Sequence, residues 1–380
     1  MGGPVTERRV RPPHTRIGVR AGAVLATVAL ALRAGSALEL VSVDRVVYKP
    51  GPVYDTLGEI GEERRIVSLD EELETYPTEG HLWFTTIHLD GGPGDDLSAW
   101  DWLRAALDPA STVVPREEVF PEDVTAEQVR EQNTELMQHS QQDAAVVALR
   151  ATGIDIPEDI VVAQVIVDAP ADGVLHVDDQ ILRIDGEPMA NARAVQDRLQ
   201  EVEPGDSVPM TLLREEEELT IEVPTTEDED TGRTIVGVYL APRYDLPYEV
   251  SIDAGNVGGP SAGLMFSLAV YDQVTPGPLT GGLSVAGTGT ISGSGSVGGI
   301  GGIRQKMYAA REAGASLFLA PSDNCGEVVD AAPRGLPVAA VSTFEQAVEV
   351  LELAASTDDL TGADLPTCEQ VLEDGATSTG

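Results

Sequence analysis

The sequence predicts an α+β protein of several domains. Its 380 residues suffice for two or three hydrophobic cores. Short β-branched runs bounded by Gly and Pro fill the middle of the chain, and apolar helical repeats dominate its last third. Charge divides the chain as well: residues 1–20 carry a net +4 and the remainder −44, for an overall −40. So acidic a body repels phosphate backbones, which excludes nucleic acid as a partner. Of the 24 basic residues, only Lys49 and Lys306 are lysines.

The first element is an export or anchor segment at residues 21–43. Residues 1–20 form a basic tail holding Arg8, Arg9, Arg11, Arg16 and Arg20. Behind it runs Ala21–Leu32 (AGAVLATVALAL), which continues to Val43 with only Arg33 and Glu39 interrupting. Basic residues ahead of an apolar run hold the N-terminus in the cytoplasm and send the rest of the chain outside. A single-pass membrane anchor is therefore expected. The alternative is secretion after cleavage near Ala34-Gly35-Ser36-Ala37, because the uninterrupted run is shorter than the ~20 residues of a full span. In an exported chain Cys325 and Cys368 read naturally as a disulfide, with two separate buried thiols as the alternative. The histidines (His14, His81, His88, His139 and His176) form no HExxH and no i,i+4 pair, so neither a metal nor another cofactor is expected.

Residues 44–153 read as a mixed α/β region without an assignment. An apolar strand covers His81 to Leu89, and a Gly-rich turn leads to a short helix at Trp100–Leu107. Thr125 with Gln128 predicts a capping box that opens a long helix, running to about Arg150 and stopping at Gly153. Nothing in this region points to chemistry.

Residues 154–224 have a different texture. A β-branched strand at Val161–Val167 is followed by the small-residue turn Ala169-Pro-Ala-Asp-Gly and a strand at Gln180–Ile184. Asp185-Gly186 makes a tight turn, and Ala192, Val195 and Leu199 share one helix face. Strands at Val208–Arg214 and Leu219–Val223 close the unit. This order, and above all the stretch APADGVLHVDDQILRIDGEPM, resembles a PDZ domain. The resemblance implies an extended polypeptide bound as an added strand between a sheet edge and the 191–201 helix, with Ala151–Pro157 as the candidate terminus-binding loop. Residues 225–234 read as an acidic linker.

The remaining chemistry lies in residues 235–354. Val257-Gly-Gly-Pro-Ser261-Ala-Gly-Leu runs into an apolar helix, and Pro260 suits a first-turn position, so Ser261 falls at a helix N-terminus. Free N–H groups and the positive end of the helix dipole meet there, which suits a developing oxyanion. Serines also cap helices for purely structural reasons. A serine hydroxyl needs a base, and no histidine lies in the last 200 residues. The one lysine of this half, Lys306, opens a helix whose Ile303, Met307 and Ala310 face inward. A lysine serves as a base once burial lowers its pKa, whereas arginine cannot release its proton near neutral pH. Gly293-Ser-Gly295-Ser-Val-Gly298 matches a dinucleotide fingerprint only superficially, since its spacing to the next helix and acid is wrong.

GGPSAG at 258–263, TGTISGSGSVGGIGGIRQK at 288–306 and the helix that follows resemble the proteolytic domain of Lon-type serine peptidases. The resemblance implies that Ser261 is the nucleophile, that Lys306 is its base and that Thr288 supports the pair, with Gly259 and Pro260 shaping the loop. Two departures stand out: Gly258 occupies the position of the family's acid, and Thr290 that of its glutamate. The whole order is similar to the membrane-associated PDZ–Lon proteins of Gram-positive bacteria. Asn324-Cys325 and Pro366-Thr-Cys368, the latter in a C-terminal tail at 355–380, fit that layout, and the resemblance thereby implies a Cys325–Cys368 disulfide.

The expectation is an ATP-independent serine endopeptidase outside the cytoplasmic membrane, since no GxxxxGK[ST] occurs in the sequence. Its partners would be unfolded or extended polypeptides and the membrane, and the sequence leaves a monomer and a homo-oligomer equally open. The competing expectation is a PDZ scaffold or adaptor at the cell envelope whose Lon-type fold is inactive.

Overall fold

The chain folds around two sheets in a computed structural model, described for residue 39 and residues 41–60, 64–121, 124–357, 359–360 and 363–378. The basic tail and most of the expected anchor segment lie outside the described residues. Among the described residues, no helix is long and apolar enough to cross a membrane.

The N-terminal part comprises β1 (Ser42–Val43), β2 (Arg45–Asp55), β3 (Val67–Leu69), β4 (His81–Asp90), β5 (Leu97–Ser98), helix α1 (Ala99–Leu107), β6 (Thr112–Pro115) and helix α2 (Ala126–Ala151). The start of α2 is fixed by its capping box. Thr125 Oγ1 accepts from Gln128 N (3.2 Å), and Gln128 Oε1 accepts from Thr125 N (2.9 Å). Gly153, at φ +86°, ends the helix, its N–H donating to Arg150 O.

The second unit contains β7 (Glu158–Val165), β8 (Gln180–Ile184), α3 (Ala192–Leu199), β9 (Ser207–Arg214), β10 (Glu217–Pro224) and β11 (Val238–Tyr244). Its antiparallel sheet has the order β10-β9-β8-β7-β11, which leaves β11 at an edge. Alternation sets its core: Val208, Met210 and Leu212 of β9 are buried, with Ile181, Ile184, Val195 and Leu199 packed around them. Both ends of the unit meet at one stem, where Glu158 pairs with Tyr244 and Asp245 N donates to Pro157 O.

The last part holds β12 (Val250–Ile252), α4 (Gly263–Val274), β13 (Ser284–Gly287), β14 (Thr290–Ile291), β15 (Val297–Gly298), α5 (Ile303–Ala313), β16 (Leu317–Pro321), α6 (Cys325–Ala331), β17 (Val338–Val341), α7 (Phe344–Ala355) and α8 (Cys368–Ser378). Its sheet has the order β17-β16-β13-β4-β2-β6, parallel from β17 to β4 and antiparallel beyond. All five residues of β16 (LFLAP) are buried, as a strand covered on both faces requires. Helix α4 is buried along most of its length, between the sheet and α2.

Three expectations are corrected. Residues 44–153 are not a separate region: β2, β4 and β6 complete the main sheet, β3 pairs with β12, and α2 packs on α4. The peptide-binding-like unit is therefore inserted into a fold whose strands lie on both sides of it in sequence. Pairings at such separations leave no local pattern to read. Residues 225–234 are not a bare linker either, because Thr226 and Glu227 pair with Ile235 and Thr234. Asp228 holds that hairpin, its Oδ1 accepting from Thr231 N at 2.8 Å. Finally, β11 belongs to the inserted sheet and not to the C-terminal domain expected to begin at 235.

Cys325 and Cys368 are bonded, joining the first turns of α6 and α8 across 43 residues of sequence. Both sulfurs sit in the apolar layer with Ile303, Met307 and Phe318. A Cys325→Ser/Cys368→Ser double variant should lose about 2–4 kcal/mol of stability, the loop-closure contribution of such a bridge. Denaturant melts of variant and wild type, with and without reductant, check this; reductant should destabilise only the wild type.

Candidate active site

Ser261 sits in the turn between β12 and α4, two residues ahead of the first helical residue, Gly263. That is slightly outside the helix and not within its first turn as the sequence suggests. The turn depends on backbone conformations and close approaches that side chains would spoil. Gly259 has φ +85°, and a Cβ on Gly258 would lie 2.9 Å from the Asn133 Cβ of α2. Helix α2 therefore leaves no room for a side chain at Gly258.

Lys306 reaches the same point from the first turn of α5. Its side chain is buried, with the residue only 2% exposed, and Nζ contacts Ser261 Oγ at 2.8 Å and Thr288 Oγ1 at 2.9 Å. The Thr288 hydroxyl donates to the Ser261 carbonyl at 2.9 Å. That bond occupies the threonine's proton, so its oxygen accepts from Lys306. The ammonium has little other solvation, and desolvation lowers its pKa from 10.5 to about 7. Near neutral pH the amine can therefore lose its proton. Its lone pair then faces Ser261 Oγ while one N–H remains on Thr288, which is the geometry a general base requires.

Two peptide planes flank the hydroxyl. Pro260 O accepts from the buried Ser140 Oγ of α2 (2.9 Å), and Ser261 O accepts from Thr288 Oγ1 and from Gly289 N. In a trans peptide, C=O and N–H point oppositely. Ser140 and Thr288 thus fix the N–H groups of Ser261 and Ala262 opposite the two bonded carbonyls, and neither N–H has an acceptor among the described residues. Gly259 N donates to Asn133 O, fastening the turn to α2 a second time.

The hydroxyl opens onto a cleft of about 500 Å³. Tyr48, Tyr54, Phe84, Ile87, Met137 and Val257 form much of its wall, and among the described residues lining it Lys306 carries the one amine and no carboxylate is present. Sequence reasoning found Ser261, Lys306, Thr288, Gly259 and Pro260, and the structure brings all five together. It missed Ser140, Asn133 and the walls from β2 and β4. Spacing carries no signal for them, because each reaches the site by long-range packing. Among the described residues no cluster of three or more metal-ligating side chains occurs. The glycine-rich run at 293–298 forms the β14–β15 hairpin and not a strand-to-helix turn.

A second concavity of about 540 Å³ lies between α3 and the edge strand β11, with Ile166, Val195, Leu199, Val238 and Leu240 among its lining residues. Ala151–Pro157, the expected terminus-binding loop, is not among them: it leads from α2 into β7. The 226–235 hairpin closes the groove instead, through Asp228, Thr231 and Arg233–Ile235.

Known proteins match both halves of this picture. Residues 126–225 match the PDZ domain family, and residues 248–356 match the Lon protease (S16) C-terminal proteolytic domain. The chain carries a PDZ domain followed by a Lon-type proteolytic domain. The PDZ match begins with α2, which the structure packs on α4 of the Lon-type domain. Lon protease 1 of Thermus thermophilus is 33% identical over 110 residues, covering 29% of this chain and 14% of that protein. Serine endoprotease DegS of Escherichia coli is 34% identical over 76 residues, covering 20% of this chain and 21% of that protein. The matches thus span well under two thirds of these relatives. The solved PDZ domain of the SdrC-like protein from Listeria monocytogenes is 26% identical, covering 22% of this chain and 86% of that one, with a TM-score of 0.21.

The buried amine gives a stability signature whose sign follows from linkage. Between about pH 7 and 10.5 Lys306 is neutral when folded and charged when unfolded, so wild-type stability rises with pH across that window. A Lys306→Met variant should lack this slope. It should be more stable than wild type at pH 7, by a margin that narrows toward pH 10 in denaturant melts. Equal margins at both ends would contradict a depressed amine.

Proposed function

We propose that the protein is a serine endopeptidase that cleaves unfolded or extended polypeptides without ATP, outside the cytoplasmic membrane. The observation that carries this reading is the buried Lys306 Nζ held between Ser261 Oγ and Thr288 Oγ1 at the floor of an open cleft. The neutral amine takes the proton of Ser261 as Oγ attacks a peptide carbonyl, and the N–H groups of Ser261 and Ala262 stabilise the oxyanion. Lys306 then protonates the leaving amine and, in the second half of the reaction, activates the water that releases the acyl group. An unprotonated Lys306 predicts a rate that rises through about pH 7.

The export reading rests on the basic tail and the apolar run that follows it, and the ATP-independent reading on the lack of a P-loop motif within the 380 residues. The bond between Cys325 and Cys368 fits an oxidising compartment. The groove between α3 and β11 suits an extended peptide laid along the free edge of β11, with side chains sunk between Val195 and Leu199.

Cleavage of a permanently unfolded protein tests the chemistry. Ser261→Ala and Lys306→Arg should each abolish turnover. Thr288→Val should lower the plateau rate about 10- to 100-fold, the worth of a hydrogen bond to a reacting amine. Undiminished cleavage by Ser261→Ala would remove the nucleophile, and no cleavage by wild type on any unfolded substrate would favour the scaffold reading. The groove has its own test. Ile166→Asp should raise KM for long substrates about tenfold, as loss of an apolar contact does, while kcat and the cleavage of short peptides stay unchanged.

A further inference from the structure

We propose that helix α1 rests on the bilayer surface, with its outward face in the headgroup layer beside the point where the apolar run of residues 21–43 joins the folded body. The proposal rests on membrane attachment through that run. The run ends directly on α1: Val41 O accepts from Ala99 N at 2.7 Å, and Ser42 and Val43 pair with Ser98 and Leu97. Whatever membrane depth the run reaches, α1 begins within one strand spacing of its end.

The helix exposes two of its large apolar side chains, Trp102 and Leu107, and half-buries Trp100 and Leu103. Its buried residues are the small Ala99 and Ala105, and Ala105 packs with Val47 and Leu97. At 100° per residue, the exposed Trp102, Ala106 and Leu107 span about 140° of the helix surface. Leu107 is 78% exposed, Trp102 39% and the neighbouring Val41 52%. Two of the chain's three tryptophans sit here, in a protein with only 4% aromatics. Tryptophan is the side chain that settles at the water–lipid boundary, its ring in the apolar margin and its N–H toward water. Arg104 lies over the Trp100 ring at 5.6 Å, where its head can stay at the phosphate level.

Charge selects among occupants. Asp101 and Arg104 cancel on the helix, and Asp95, Asp96 and Asp108 flank it. A second copy of so acidic a body would be repelled, whereas a zwitterionic lipid surface would not. The active-site cleft stays free in this pose. Val47 packs toward α1, and its neighbour Tyr48 lines the cleft on the opposite face of β2.

The test uses the full chain with phosphatidylcholine vesicles whose acyl chains are brominated close to the headgroup. Residues 1–43 contain no tryptophan, so quenching reports on the folded body alone. Wild type should float with the vesicles and show quenched tryptophan emission. A Trp102→Ser/Leu107→Ser variant should still float, with an unchanged melting curve, and lose about half of the quenching as the boundary anchor goes. Flotation without quenching in wild type would overturn the α1 proposal and leave attachment standing. Quenching equal in variant and wild type would overturn it too, as would α1 emission that instead blue-shifts with protein concentration alone, the mark of a second copy. Failure to float would overturn attachment, and the α1 proposal with it.

Discussion

The structure depends on keeping one amine dry. An isolated lysine stripped of water is costly in its charged form, and the protein gives Lys306 two hydroxyl partners instead of a carboxylate. A carboxylate there would hold the proton on, and among the described residues none lines the cleft. Holding the amine this way needs rigid walls on every side. The amphipathic helix α5, with Ile303 and Met307 fully buried, supplies one; β4 and β13 supply another; and α2 clamps the serine turn from a third. The other lysine of the chain shows the contrast. Lys49 is half-buried on β2 and pairs with the carboxylate of Asp90.

Construction of those walls explains the split order of the chain. Strands on the N-terminal side of the PDZ domain and strands on its C-terminal side form two adjacent blocks of one sheet, joined where β4 pairs with β13. The parallel half of that sheet and α4 are built after the insertion, whereas β2, β4 and α2 are built before it. The insertion is tolerated because its two ends meet at a stem, where Glu158 and Tyr244 face each other.

What the sequence made legible, and what it hid, divides along the same lines. Local signals were sufficient for the α2 cap at Thr125 and Gln128 and drew attention to Ser261 and Lys306, whereas the PDZ-like unit, Thr288 and the pairing of Ser261 with Lys306 came from the resemblance of whole runs to known families. The role of residues 44–153 was illegible because β4 meets β13 across some 200 residues of chain. Ser140 looks like any helical serine until the Pro260 carbonyl is seen above it. The 226–235 hairpin reads as a solvated acidic stretch because its order comes from backbone turns around Asp228 and not from apolar spacing.

The stem also decides how closely the groove and the cleft can cooperate. Arg150 at the end of α2 donates to Gly293 O, Ile156 O and Glu158 Oε2, and its guanidinium lies over the Tyr244 ring. Burial raises the Asp143 carboxyl to about 6 although the Tyr244 hydroxyl bonds to it, and burial with that nearby charge raises the Tyr244 phenol. A side chain on Gly293 would strike the Tyr244 hydroxyl, so the β14–β15 loop, α2 and both ends of the stem meet without slack. A domain tied by two chain crossings and such a joint samples far less space than one on a single linker. Under the proposed function, a polypeptide gripped along β11 is then presented at a restricted distance from Ser261, and the local concentration of the rest of that polypeptide at the cleft is set by the joint. The same α2 that carries Arg150 and Asp143 at one end carries Asn133 and Ser140 at the other. The element that fixes the PDZ domain in place is therefore also the one that holds the serine turn open to its substrate.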